Sequence, residues 1–272
     1  MKKVISYFIS IILAIFLIVS VVLIVTSNTI LNCDFILSIL NKNDYYGLLD
    51  TEIKSDFEGY IKQSGFDNEI FENIYSKEKL KADMENVIKA TYGLETVNID
   101  TESIKTNLEN NIEKYLSENN ISLNSIQQQS MQEYTGKIVE IYEKKVTHPV
   151  YLDGMKVIIN QVTNIIDSFS YIIYSILGGL ALIIIILNIK EIHNAMKYIA
   201  ISILTAAFFI LIGILILKFR INIENILVLN TNFTLIIINI IKEIIKSFIN
   251  IGISMAGVSV LMIGLGNIKN SY

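Results

Sequence analysis

Four stretches of this chain, residues 4–26, 170–189, 198–217 and 247–265, run for 19 to 23 residues without an aspartate, glutamate, lysine, arginine or histidine. A helix rises about 1.5 Å per residue, so about 20 residues cross a hydrocarbon core of ~30 Å. Inside lipid the backbone must satisfy its own hydrogen bonds, and a helix does so within one segment. Four uncharged runs of this length therefore predict four membrane-spanning helices. The whole chain is 52% hydrophobic with a mean hydropathy of +0.52. That is high for a soluble domain and low for an all-membrane protein, which predicts several spans joined to one polar domain.

The first run decides where the polar part lives. It is too long for the roughly 7–15-residue apolar core of a secretory leader, and it ends in "VTSNT", a poor cleavage site. Cys33, the single cysteine, follows Leu31 and Asn32 rather than the small residue that precedes a lipid-modified cysteine. Residues 1–26 are accordingly expected to be an uncleaved signal anchor. Lys2 and Lys3 precede the run and keep the amino terminus in the cytoplasm by the positive-inside rule. Four crossings then place residues 27–169 and 218–246 outside, with Lys190–Lys197 as a short inner turn and Lys269 in an inner tail. Lys218 and Arg220 stand against this orientation. The expected location is a bacterial plasma membrane, multi-pass, with both termini cytoplasmic.

Charge divides along the same lines. Residues 27–167 hold 23 acidic and 13 basic side chains, while the remainder holds 3 and 9. An acidic outer domain repels nucleic acid and anionic surfaces, and it suits basic partners or divalent cations. Apolar residues recur there every three or four positions, as in Tyr45, Leu49, Ile53, Phe57 and Tyr60. The pattern returns in Leu80, Met84, Val87 and Thr91, in Ile104, Leu108, Ile112 and Tyr115, and in Met131, Tyr134, Ile138 and Ile141. This spacing predicts amphipathic helices. Ser76 and Asp100 or Thr101 read as N-caps, and Gly65 and Gly93 as stops. Only Thr96–Ile99 has the composition of a strand. Pro149, the single proline, ends one helix. A second helix of about 35 residues is expected to follow and to run unbroken into the second span, its outer half a stalk. The first span is expected to extend outward through Thr29–Leu31 as a partner stalk.

The fold class is therefore all-α: four transmembrane helices plus an extracytoplasmic helical bundle between the first and second spans. The expected domains are the anchor 1–26, the acidic domain 27–169 and a three-span membrane domain 170–272. Within the last, Asn239, Lys242, Glu243 and Lys246 form a polar stripe, which predicts an interfacial helix at about 234–246.

No constellation carries chemistry. The two histidines, His148 and His193, fall on opposite sides of the membrane in this topology. Nucleophile elbows, phosphate loops, zinc helices and calcium loops have no match. The carboxylate pairs Glu69/Glu72 and Glu140/Glu143 read as solvent faces. No cofactor, metal or catalytic residue is assigned, and the chain is expected not to be an enzyme or to bind nucleic acid. Gly252, Ala256 and Ser259 share a small-residue face in the fourth span, for packing within the chain or for self-association. Lys190 and Lys197 are the candidate cytoplasmic docking residues.

The segments "NDYYGLLDTEIKSDFEGYIKQSGFDNEIFENIYSKEKLKADMENVIKATYG" and "IDTESIKTNLENNIEKYL" resemble a group of uncharacterised membrane proteins of low-GC Gram-positive bacteria. The resemblance implies an anchor, a helical outer domain and three further spans, and implies no activity. The span plan, a large first outer loop and a small second one, is also similar to FtsX-like ABC permeases. Two functions follow as expectations. One is a non-enzymatic protein that binds envelope or membrane proteins through its outer domain. The other is an FtsX-like coupling subunit driven by a separate ATPase that docks on Lys190 and Lys197.

Overall fold

The computed structural model describes residues 2–64, 66–147, 150–220 and 231–268. All regular structure among them is helical. The chain divides into two compact units. One comprises residues 1–35 and 160–272, and the other residues 36–159.

The first unit holds α1 (Lys2–Asn28), most of α7 (Val150–Leu187), α8 (Ile192–Arg220) and α9 (Thr231–Ile268). Each contains a segment long and apolar enough to cross a membrane: Lys2–Asn28, Lys156–Leu187, Ile192–Arg220 and Thr234–Leu265. These segments are longer than the runs 170–189, 198–217 and 247–265, because the helices continue beyond the uncharged stretch at one or both ends. α1 and α8 lie side by side and parallel. Leu13 packs with Ala195 and Tyr198, and Val21 and Val25 pack with Ile210. α9 runs back along α8, with Ile244, Phe248, Ile251 and Met255 against the cluster of Val21, Val25 and Ile210. Leu177, Leu180 and Ile184 of α7 join the cluster around Leu13.

The second unit holds most of α2 (Cys33–Lys42), α3 (Tyr45–Ser64), a short 3-10 helix (Asn68–Phe71), α4 (Lys77–Thr91), α5 (Thr101–Glu118) and α6 (Ser125–Thr147). Its core is the apolar faces of these helices: Ile53, Leu80, Met84, Ile104, Leu108, Ile112 and Ile138 are fully buried. Local chemistry sets the ends. The Ser76 hydroxyl accepts from the Lys79 N–H, and an Asp100 carboxylate oxygen accepts from the Ser103 N–H. α4 ends in a left-handed residue, Gly93 at φ +73°, with the Leu94 N–H reaching the Lys89 carbonyl. α5 ends the same way on Asn120 at φ +55°, with Ile121 reaching Leu116. Both are six-to-one closures that satisfy the last carbonyls of a helix.

Four expectations change. The first span does not extend as a stalk through Thr29–Leu31. α1 ends at Asn28, and a turn follows in which Leu31 N–H bonds the Thr26 carbonyl. The Asn32 side chain then caps α2, an unforeseen helix, by accepting from the Phe35 N–H. Thr96–Ile99 is not a strand. Asn98 N–H bonds the Asn86 side chain, and Asn86 in turn donates to the Thr96 carbonyl, so the segment lies along α4. Residues 234–246 are not a separate helix but the first part of α9, since no glycine or proline interrupts the run from Thr231. In α6 the stripe steps from Ile138 to Tyr142, not to Ile141, which is half-buried. Gly65, His148, Pro149, residues 221–230 and Lys269 lie outside the described residues.

Candidate functional site

The second unit carries a polar network inside its apolar core. α3 supplies Asp50, which is 4% exposed, and α4 supplies Asp83, which is 8% exposed. The Tyr75 hydroxyl donates to Asp50 at 2.8 Å, and Lys54, one turn along α3, donates to the same carboxylate at 2.9 Å. The Tyr142 hydroxyl donates to Asp83 at 2.7 Å, and Lys79, one turn back on α4, pairs with it at 3.2 Å. The two Lys–Asp–Tyr groups meet through their rings, with the centroids of Tyr75 and Tyr142 5.0 Å apart. Burial first, then the hydrogen bond to an anionic partner, holds both phenols well above the ordinary tyrosine range. Burial and the nearby Glu52 do the same to Tyr45. These phenols stay protonated at any physiological pH, and those of Tyr75 and Tyr142 serve as donors. Each buried carboxylate has a cation and a hydroxyl, which is what a buried charge requires.

Two clefts open beside this network on either side of the 68–76 segment. The larger, about 600 Å³, is lined by Lys54, Phe57, Phe71, Tyr75, Glu58 and Glu78 among others. The rings of Phe57 and Phe71 stack in it at 5.3 Å. The smaller, about 320 Å³, is dominated by amides and acids: Asn107, Asn110, Asn111, Glu69, Glu72 and Glu118. Its shape depends on α5. Asn107 donates to the Ile74 carbonyl at 3.1 Å, and Asn111 to the carbonyls of Ile70 and Glu72 at 3.0 and 2.9 Å. These two amides, four residues apart, hold a segment that turns through Asn73 in the left-handed region at φ +56°. Sequence reading missed them because asparagine on a helix surface has no apolar signal. Among the described residues no group of three or more His, Cys, Asp or Glu side chains has the arrangement of a metal site.

The residues singled out from sequence are placed as follows. Gly252 is buried against α8, and a Cβ there would stand 2.9 Å from the Leu211 side chain. Ala256 lines an apolar recess of about 410 Å³ with Leu204, Thr205, Phe208 and Leu211. Ser259 is fully buried, and its hydroxyl donates to the Ala256 carbonyl at 2.8 Å. By contrast, a Cβ at Gly178, Gly179, Gly213 or Gly264 would meet nothing within 4 Å. Lys190 is exposed in the turn between α7 and α8, and Lys197 is half-buried on α8. Glu69, Glu72, Glu140 and Glu143 are all exposed. A small-residue contact that sequence reading overlooked joins α1 to α8. Ser6 and Ser10 are buried there, and Ser10 bonds the carbonyls of Ser6 and Tyr198. The four-residue spacing of Ser6, Ser10 and Ala14 is the signal that marks it.

No family model matches the chain, and neither a curated protein nor a solved structure shows significant similarity to it.

Proposed function

We propose that the chain is a non-enzymatic bacterial plasma-membrane protein whose acidic helical unit lies outside the cell and binds envelope or membrane proteins. Both termini are cytoplasmic in this reading. One observation carries it: one chain joins four apolar helices to a separate unit whose buried charges are satisfied internally. With Asp50 and Asp83 occupied by their own lysines and tyrosines, the surface left for partners is the charged and amide rim of the two clefts. A surface of this kind recognises polypeptides by shape and charge, not by reaction. The chain then sits in the membrane as an anchored receptor or scaffold.

A second reading, an FtsX-like coupling subunit, is favoured by α7. It is one helix from Val150 to Leu187, and its residues belong to both units. A separate ATPase would drive it from the cytoplasmic turn containing Lys190 and Lys197.

One purification separates the two. The tagged full-length protein is taken from its native membrane in mild detergent and its companions are identified. Envelope proteins lost when cleft-rim residues Glu58 and Glu78 are changed to Lys support the interaction reading. A stoichiometric ATPase lost in K190E/K197E replaces it with the coupling reading. Sidedness is tested by labelling S117C or K190C in intact cells with a membrane-impermeant maleimide. Reaction at 190 and not at 117 would refute the proposed topology.

A further inference from the structure

Three distant parts of the sequence meet at one end of the membrane unit. Asn188, just past α7, donates to the Ser6 hydroxyl at 3.0 Å. The Tyr7 ring stands edge-on to Tyr198 at 5.0 Å, and Ser10 donates to the Tyr198 carbonyl at 3.2 Å. The start of α1, the end of α7 and the start of α8 are thereby held together. Within about two turns of these contacts lie Lys2, Lys3, Lys190, His193 and Lys197. The only carboxylate there among the described residues is Glu191, which accepts a hydrogen bond from Asn194. Lys2, Lys3 and Lys190 are exposed, and no ion pair among the described residues engages any of the four lysines.

Apolar side chains stand directly beside the cations. Val4 is 72% exposed and Phe8 64%, with Ile5, Ile189 and Ile192 open as well. Val4 and Phe8 lie at the start of an apolar segment long enough to cross a membrane, which sets the neighbouring lysines at the level of the lipid headgroups. A ligand that meets both the lysines and the apolar groups has a phosphodiester next to hydrocarbon. We propose that this end of the membrane unit is a docking surface for anionic phospholipid, of which phosphatidylglycerol is the simplest example. Lys2, Lys3, Lys190 and Lys197 hold the headgroup, and Val4, Phe8 and Ile192 lie along the acyl chains. Lysine suits this role because its stem lies along apolar surface while the ammonium reaches the headgroup level. The inference is independent of which side of the membrane this end faces.

The full-length protein is reconstituted in phosphatidylcholine bilayers with trace spin-labelled phosphatidylglycerol or spin-labelled phosphatidylcholine. The relative association of the two labels is read from the motionally restricted signal. A basic side chain near an anionic lipid is worth about fivefold in association. The expected result is a several-fold preference for phosphatidylglycerol that approaches parity in K190Q/K197Q and weakens in high salt. If K190Q/K197Q loses helicity by circular dichroism, K2Q/K3Q is read in its place. Equal association of both labels in the unaltered protein overturns the proposal. So does a preference unchanged by the substitutions. Displacement of the lipid label by 10 mM inorganic phosphate at constant ionic strength would reassign the surface to small anions.

Discussion

Replacing Tyr142 by phenylalanine removes one oxygen atom from the core of the helical unit. Its ring is fully buried against Tyr75, so the variant keeps its packing and loses only the 2.7 Å bond to Asp83. A hydrogen bond to a charged acceptor contributes about 1.5–3 kcal/mol. Asp83 retains Lys79 at 3.2 Å, so it is not left bare, and the lower half of that range is expected. Changing Asp83 to Ala costs more, about 3–5 kcal/mol, because it strands the Tyr142 hydroxyl and the half-buried Lys79 ammonium together. The double variant Y142F/D83A should then be less destabilised than the sum of the two, since each removes the same bond. The measurement is urea unfolding of the full-length protein in mild detergent, followed by circular dichroism. Hydrogen exchange on α4 and α6 locates the loss. A Y142F variant within about 0.3 kcal/mol of the unaltered protein, or strict additivity in the double variant, would refute the account of this network.

Three further outcomes follow from other parts of the molecule. The raised pKa values of Tyr45, Tyr75 and Tyr142 mean that the folded state keeps protons which the unfolded chain releases above about pH 10. Stability is therefore complete below pH 10 and falls above it, by about 1.4 kcal/mol per pH unit for each such tyrosine. Absorbance at 295 nm should show these three ionising only as the unit unfolds, and Y142F should have the shallower pH dependence. In the membrane unit, G252L should lower the melting temperature in detergent by several degrees because its side chain meets Leu211. G257L, where a Cβ meets nothing within 4 Å, should leave it unchanged. At the end of α5, N120G should raise stability by up to about 1 kcal/mol, since glycine adopts φ +55° without strain. G93A at φ +73° should lower it by a similar amount, both read from urea midpoints.

The sequence by itself determined the class of the molecule and most of its local structure. Long uncharged runs admit one backbone solution in lipid, so four helices were legible without any knowledge of their neighbours. The helical stripes through Ile53, Leu80, Ile104 and Ile138, and the caps at Ser76, Asp100 and Gly93, were legible for the same reason: their signals are periodic or lie within four residues. Tertiary structure decided what depends on partners far away in the chain. Tyr142 belongs to the core because Asp83 and Tyr75 stand opposite it, 59 and 67 positions earlier. Asn107 and Asn111 shape a cleft because the 68–76 segment folds across them. Gly252 is close to Leu211 while Gly213 and Gly264 face open space, though all three look alike in sequence. The lysines of two remote segments become one surface only because Asn188 reaches Ser6 and Tyr7 meets Tyr198. A polar side chain carries no period that names its partner, so its role appears only when folding sets the two at bonding distance.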